Sequence, residues 1–62
     1  MKAYIEYDGK TDTYKLMVQS GENDFVEAAS AKVQIVNGIR MIPSKFVSTL
    51  IEAVRNGCEF VY

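Results

Sequence analysis

Cys58 is the only cysteine in a chain of 62 residues that contains no histidine. A folded chain of this size buries only about 60% of the surface that its unfolded form exposes, so small domains commonly gain stability from disulfides, metal ions or oligomerisation. One thiol cannot form an intrachain disulfide, and one thiol without histidine cannot build a structural zinc site. The chain must therefore gain its stability from packing within itself, against another chain, or both.

The composition is that of a folded protein. Hydrophobic residues make up 48% of the sequence, which argues against disorder. No apolar run is long enough for a signal peptide or a membrane span, so we expect a cytoplasmic protein with no membrane partner. The 7 basic and 8 acidic residues are scattered, so no charge block indicates nucleic acid. No repeat or linker divides the chain, and we predict one domain, residues 1–62.

Two stretches near the start of the chain alternate between apolar and polar residues, as half-buried strands do. They are residues 2–7 and 13–19, and residues 8–12 between them have turn-forming side chains. We therefore predict a β-hairpin in which Tyr7 lies opposite Tyr14.

This register decides which side chains of the first hairpin face the core. The predicted core face carries the pairs Tyr7–Tyr14, Ile5–Leu16 and Ala3–Val18. On the other face Glu6 meets Lys15, and opposite charges across strands contribute roughly 0.2–1 kcal/mol. Tyr4 meets Met17 on that second face, so both are predicted to lie away from the core.

Residues 22–31 are compatible with either a helix or a strand. Asp24 followed by Glu27 is a helix-start signal, because both side chains can bond to N–H groups of the first turn. A strand that runs into the next element is favoured instead by a shared parity, that of Phe25, Glu27, Ala29 and Ala31 with Val33 and Ile35. Both interpretations remain open at this point.

The dipeptide Asn37-Gly38 predicts a second hairpin turn. A two-residue loop would mix apolar and charged side chains on both faces of this hairpin. A three-residue loop, residues 36–38, places Ile35 opposite Ile39 and separates polar from apolar side chains. We therefore predict the three-residue loop, with Gly38 in the left-handed conformation of a G1 bulge.

Pro43 and Ser44 end the second hairpin and favour a helix start, with proline in the first turn or Ser44 as the cap. Apolar residues then recur at helical spacing, at Phe46, Val47, Leu50, Ile51 and Val54. This pattern predicts an amphipathic helix of about residues 44–56. Gly57 favours a left-handed ending, and residues 58–62 form a short strand.

These elements predict an α+β fold. It has a small, mostly antiparallel sheet of four to five strands, with one amphipathic helix packed on one face and followed by the short C-terminal strand. That strand either completes a right-handed crossover or pairs elsewhere on the sheet. Since one helix covers only one face of the sheet, we expect the other face to expose apolar side chains.

The sequence contains no motif for catalysis, metal binding or cofactor binding. Histidine, the commonest general base, is absent. Cys58 follows the predicted helix end and is predicted to be a small core residue rather than a reactive thiol. Asp8 and Asp12 lack the ligand spacing of a calcium loop and are predicted to belong to a solvated turn. We therefore expect no enzyme activity, no metal and no cofactor.

The predicted partner is another protein, because binding to a protein surface would bury the apolar side chains of the exposed sheet face. We predict a small non-enzymatic protein-interaction or regulatory module, a homodimer or other homo-oligomer. One alternative is a single-stranded nucleic-acid binder that uses tyrosine and lysine on a sheet face, although the net charge of −1 opposes it. Another is a small inhibitor that blocks a different protein. The candidate interaction residues are Tyr4, Lys15, Met17, Arg40, Ile42, Val61 and Tyr62.

Overall fold

Six strands and one helix form the secondary structure of residues 1–61, the part of the chain that this computed structural model describes. In chain order the elements are β1 (Lys2–Asp8), β2 (Thr13–Gln19), β3 (Phe25–Lys32), β4 (Gln34–Val36), β5 (Ile39–Met41), α1 (Ser44–Arg55) and β6 (Glu59–Phe60). Four strands form the main sheet in the order β3-β2-β1-β6, while β4 and β5 form a separate two-stranded sheet. The predicted α+β fold is confirmed.

The first hairpin, β1 with β2, forms the centre of the main sheet. Tyr7 lies opposite Tyr14 and Glu6 lies opposite Lys15, so the predicted register is confirmed. The connecting turn ends at Asp12, a non-glycine residue with a positive φ of 53°.

The segment whose structure the sequence left open is the strand β3, which pairs antiparallel with β2. Leu16 pairs with Ala29 and the next residue, Met17, pairs with Glu27, so Ala28 is an extra residue at a β-bulge. The edge of β2 supplies the hydrogen-bond partners that a helix would have supplied within the segment. The strand interpretation is therefore correct.

The second hairpin, β4 with β5, has a two-residue loop, so the predicted three-residue loop is wrong. Its pairs are Gln34–Met41, Ile35–Arg40 and Val36–Ile39. Asn37 and Gly38 have φ angles of 53° and 79°, and the tight type I′ loop requires a positive φ at both of its central residues. Asparagine and glycine both tolerate this region of φ. The turn geometry determines the loop because both faces of this hairpin are exposed.

Pro43 precedes the helix at the N-cap position, and its carbonyl accepts hydrogen bonds from the N–H groups of Phe46 and Val47 at 3.0 and 3.3 Å. No side chain caps this end of the helix. Ser44 is the first helical residue. Pro43 lies before the first turn and Ser44 lies within it, so neither of the two predicted roles at this boundary is observed.

The helix ends in a Schellman motif. Gly57, with φ of 89°, donates its N–H to the carbonyl of Val54 at 3.1 Å, and Cys58 donates to that of Ala53 at 3.0 Å. These two bonds satisfy carbonyls that the helix end would otherwise leave unpaired. The predicted left-handed ending at Gly57 is confirmed.

The last strand, β6, pairs parallel with β1 rather than with the strand that precedes the helix. The N–H of Glu59 donates to the carbonyl of Met1 at 2.8 Å, and the N–H of Val61 donates to that of Ala3 at 3.0 Å. The chain therefore returns to the first strand of the sheet, which is the second of the two predicted alternatives.

The core lies between the helix and one face of the main sheet. Ala3, Leu16 and Phe46 form its buried cluster. Half-buried side chains packed against this cluster are Tyr14, Val18, Ala29, Ala31, Leu50, Ala53, Cys58 and Phe60. The predicted core face is correct at its centre, but Ile5 and Tyr7 on the same face remain more than 40% exposed. The helix thus covers only part of that face.

Candidate functional site

The face of the main sheet opposite the helix, here called the open face, carries three predicted interaction residues. They are Tyr4, Lys15 and Met17, and all three are half-buried. Tyr4 lies directly opposite Met17, and its ring meets that of Phe25 edge-on with the centroids 5.0 Å apart. The apolar side chains of this face therefore shield one another in part.

The charges of the open face alternate in sign. The Nζ of Lys15 lies 3.9 Å from the Oε1 of Glu27, and Glu6 is the cross-strand neighbour of Lys15 on its other side. Phosphate binding requires an excess of cations, which this arrangement does not provide. Nucleic-acid binding by this face stays a prediction without support from its electrostatics.

Arg40 lies away from the open face, in a cluster with Asp12 and Tyr7 that we call the clasp. The Nη2 of Arg40 donates to the Oδ1 of Asp12 and, at 3.2 Å, to the Oη of Tyr7. The hydroxyl of Tyr7 donates to the same carboxylate oxygen at 2.5 Å. The clasp joins the second hairpin to the turn of the first. A further bond, from the N–H of Val33 to the carbonyl of Asp12 at 2.8 Å, lies beside it.

The clasp shifts the pKa of each of its members. The hydrogen bond from Tyr7, reinforced by Arg40, lowers the pKa of the Asp12 carboxyl. The same bond to Asp12 raises the pKa of the Tyr7 hydroxyl, and hydrogen bonds to Tyr7 and Asp12 raise the pKa of Arg40. All three pKa values move away from neutrality. The clasp therefore supplies no group that exchanges a proton near neutral pH, as a general acid or base must.

The remaining predicted residues are dispersed. Ile42 lies between β5 and the helix and is 41% exposed, whereas Val61 is half-buried after β6. Tyr62 lies outside the described residues. The structure thus brings Tyr4, Lys15 and Met17 together on one face and places Arg40 and Ile42 on or beside the second hairpin.

The second hairpin, residues 34–41, forms a two-stranded sheet separate from the main sheet and is here called the arm. Its exposed apolar side chains are Ile35 at 69%, Val36 at 46%, Ile39 at 63% and Met41 at 49%. These residues are not among the predicted interaction residues, because the predicted three-residue loop grouped Ile35 with Ile39 on one apolar side of the hairpin. The signal that would have found them is the Asn37-Gly38 pair, since a two-residue loop distributes apolar residues to both faces of the arm.

A second exposed apolar set lies on the helix. Val47, Ile51 and Val54 are spaced at i, i+4 and i+7 and are 41–58% exposed, and we call them the outer stripe. Helical residues at that spacing share one face. The neighbouring stripe of Phe46, Leu50 and Ala53 packs on the main sheet. The sheet therefore covers only part of the apolar stripe predicted for this helix, and Val47, Ile51 and Val54 lie beyond it.

A groove of about 300 Å³ lies between β3 and the start of the helix. Its lining residues are Ala29, Ser30, Ala31, Pro43, Lys45, Phe46 and Thr49. Lys45 is the only ionisable residue among them. A single amine at the rim of an apolar groove does not form the paired acid and base, or nucleophile and base, that catalysis requires.

Comparison with known proteins gives no assignment: no protein-family model, curated protein or solved structure matches the chain. Within residues 1–61, histidine, cysteine, aspartate and glutamate form no group of three or more that could hold a metal ion. The helix of the described chain is also not long and apolar enough to cross a membrane. The exposed apolar surfaces are therefore the features from which a function can be argued.

Proposed function

We propose that this chain is a non-enzymatic protein-interaction module that self-associates through an apolar sheet face. The observation that carries the proposal is the arm, a two-stranded sheet whose four large apolar side chains are 46–69% exposed. An isolated two-stranded hairpin is at best marginally stable in water. A protein surface packed on one face of the arm would remove three of these side chains, Val36, Ile39 and Met41, from water and order the arm at the same time.

The shape of the chain supports this proposal. The accessible surface is 4628 Å² for a mass of 7.0 kDa. A folded monomer of this mass exposes about 4000 Å², so the chain has an excess of about 600 Å². Each partner in a standard protein interface contributes about 800 Å². The radius of gyration, 12.4 Å, is also larger than the roughly 10.6 Å expected for a compact chain of this length.

A second copy of the chain is the simplest occupant of this surface. Small domains without disulfides or metals commonly gain stability by oligomerisation, and closed two-fold dimers are the commonest oligomers. Cys58 is a free thiol, and the described residues hold no metal-binding group. Two copies that each bury about 600 Å² would together bury about 1200 Å², which is the lower limit of a specific interface.

Multi-angle light scattering at several protein concentrations tests the proposal. The wild-type mass should rise from that of one chain, 7.0 kDa, towards twice that value as the concentration increases. Ile39→Lys should keep the mass at that of one chain, because the ammonium group would have to be buried in the interface. Ser48→Lys adds the same charge at an exposed polar position of the helix and should associate like the wild type.

One further variant separates the two apolar sheet faces of the molecule. If the open face predicted from the sequence were the interface, Met17→Lys would abolish association and Ile39→Lys would not. Our proposal requires the opposite result. A single-chain mass for the wild type at every concentration would contradict self-association altogether.

A further inference from the structure

The exposed apolar side chains of the arm and of the helix form two separate surfaces in one chain. We propose that in a two-fold dimer the arm of each copy packs on the outer stripe of the other copy's helix. This inference rests on the proposed self-association and specifies which surfaces meet. It places two identical arm-to-helix contacts in each dimer, as a closed two-fold interface requires.

One face of the arm is suited to this contact. Val36 and Ile39 lie directly opposite each other, and Met41 shares their face across from Gln34. The other face carries Arg40, whose guanidinium is held by the clasp. The face of Val36, Ile39 and Met41 is therefore the one that is free of charged side chains, and we call it the arm face.

The arm face and the outer stripe have similar dimensions. The outer stripe extends over eight residues from Val47 to Val54, whose seven rises correspond to about 10 Å along the helix. The arm face extends over two pairs of one hairpin, which corresponds to about 7 Å along the strands and about 5 Å across them. Each set consists of three apolar residues, and neither includes a charged one. The two surfaces can therefore cover each other without burying a charge.

The geometry within one chain keeps these surfaces apart. Only Ile42 and Pro43 connect β5 to the helix, and the clasp fixes Arg40 to the turn of the first hairpin. The stripe of Phe46, Leu50 and Ala53 faces the main sheet. The outer stripe lies about 100° around the helix from it, since successive residues are rotated by 360° divided by 3.6. Both surfaces are accordingly exposed in the single chain. A contact between two copies allows both to be buried.

The excess surface agrees with this arrangement. Each copy would bury its arm face against one helix and its outer stripe against one arm, so both exposed sets contribute to the same dimer. The excess of about 600 Å² per chain lies near the lower limit of a specific interface. Contact through the arm alone would leave the outer stripe exposed.

Disulfide cross-linking between two single-cysteine variants tests the arrangement. Cys58→Ala provides a background without the native thiol, and Ile39→Cys and Ile51→Cys are introduced into it separately. The two variants are unfolded in urea, mixed, refolded together and oxidised under mild conditions. Because a disulfide forms only when the two Cα atoms lie about 4–7 Å apart, the mixture should give a covalently linked dimer on a non-reducing gel. Each variant oxidised alone should give little covalently linked dimer.

Ser48→Cys mixed with Ile39→Cys is the matched control, because Ser48 is an exposed polar residue of the same helix outside the outer stripe. The arm-to-helix contact would be overturned if the chain is dimeric by light scattering but the mixture of Ile39→Cys and Ile51→Cys forms no more cross-linked dimer than this control. Self-association would still stand in that case. A monomeric wild type would instead overturn the proposed function together with this inference. If Cys58→Ala does not fold, the same mixture is made with Cys58 retained, and mass spectrometry identifies whether positions 39 and 51 are joined.

Discussion

The two hairpins of this chain have different surroundings although both are antiparallel pairs joined by tight turns. The first hairpin has β3 and β6 at its edges and the helix over one face. The second, the arm, pairs only with itself in the described part of the chain, and its apolar side chains remain exposed. Within each hairpin the strand pairing and the turn type are thus set locally, whereas burial depends on elements that are distant in sequence. The difference suggests that the first hairpin stabilises the fold and that the arm is available for a partner.

The largest effect should distinguish a core position from an arm position. Leu16 is 2% exposed and Ile35 is 69% exposed. Leu16→Ala should lower the free energy of unfolding by about 2–5 kcal/mol, because it removes buried methyl groups and leaves a cavity. Ile35→Ala should change it by less than about 0.5 kcal/mol. Urea denaturation at low protein concentration measures both values. Similar losses would show that the arm belongs to the folding core.

Two glycines with a positive φ allow the same substitution to be compared between the helix end and the arm. Gly57 ends the helix and Gly38 closes the arm; both have a positive φ, and no atom lies within 4 Å of an added Cβ. Alanine at either position should therefore cost about 1–2 kcal/mol of backbone strain. Gly57→Ala should lower the global unfolding midpoint, since the helix covers the core. Gly38→Ala should instead speed amide exchange in β4 and β5 and leave the midpoint of the monomer unchanged. A global effect of Gly38→Ala would contradict the division between the two regions.

A smaller effect concerns the attachment of the arm through the clasp. Because the pKa of Asp12 is lowered in the folded chain, the contribution of the Asp12 carboxylate to the stability of the clasp is present at pH values above its unfolded pKa of about 3.9. This contribution is lost as the pH falls through the lower folded pKa. The pKa of Tyr7 is raised in the folded chain, so its pH dependence has the opposite sign. The contribution of the Tyr7 hydroxyl to the stability of the clasp is present at pH values below its unfolded pKa of about 10 and is lost as the pH rises through the folded pKa.

Nuclear magnetic resonance shifts of the arm amides should therefore change in strong acid and again in strong alkali, while those of the first hairpin away from the clasp change less. Asp12→Asn should remove the acid transition, and Tyr7→Phe should remove the alkaline one. A full acid transition in Asp12→Asn would show that another group controls the attachment of the arm.

Local signals were sufficient to predict the central part of the fold. The register of Tyr7 opposite Tyr14 followed from alternation and from one pair of opposite charges. The helix predicted as residues 44–56 is observed as Ser44–Arg55. The preceding proline, the helical spacing of the apolar residues and the following glycine, on which that prediction rested, are all local signals. Such features depend on neighbours within a few residues, so one sequence is enough to identify them.

The features that could not be predicted depend on contacts between distant residues. Pairing with β2 makes β3 a strand, and pairing with β1 determines the position of β6. The clasp joins Arg40 to Asp12, 28 positions away, and no spacing rule connects such residues. The loop of the arm was predicted wrongly for a different reason. The three-residue loop was preferred because it separates polar from apolar side chains, and a hairpin whose two faces are both exposed does not require that separation.

The predicted interaction residues show the same distinction. Tyr4 and Met17 were correctly placed on one face because the register of their hairpin was correct. Whether that face binds anything stays a prediction. The more exposed apolar side chains are those of the arm and the outer stripe, and none of them is among the predicted interaction residues.

Amide hydrogen exchange at two protein concentrations tests most directly whether a second chain covers the arm in solution. We expect the amides of β4 and β5 to exchange rapidly in dilute protein and to become protected as the concentration rises, because association stabilises the bound form by mass action. The amides shared by β1 and β2 should be protected at both concentrations. Arm amides that exchange at the same rapid rate at every concentration would contradict the account.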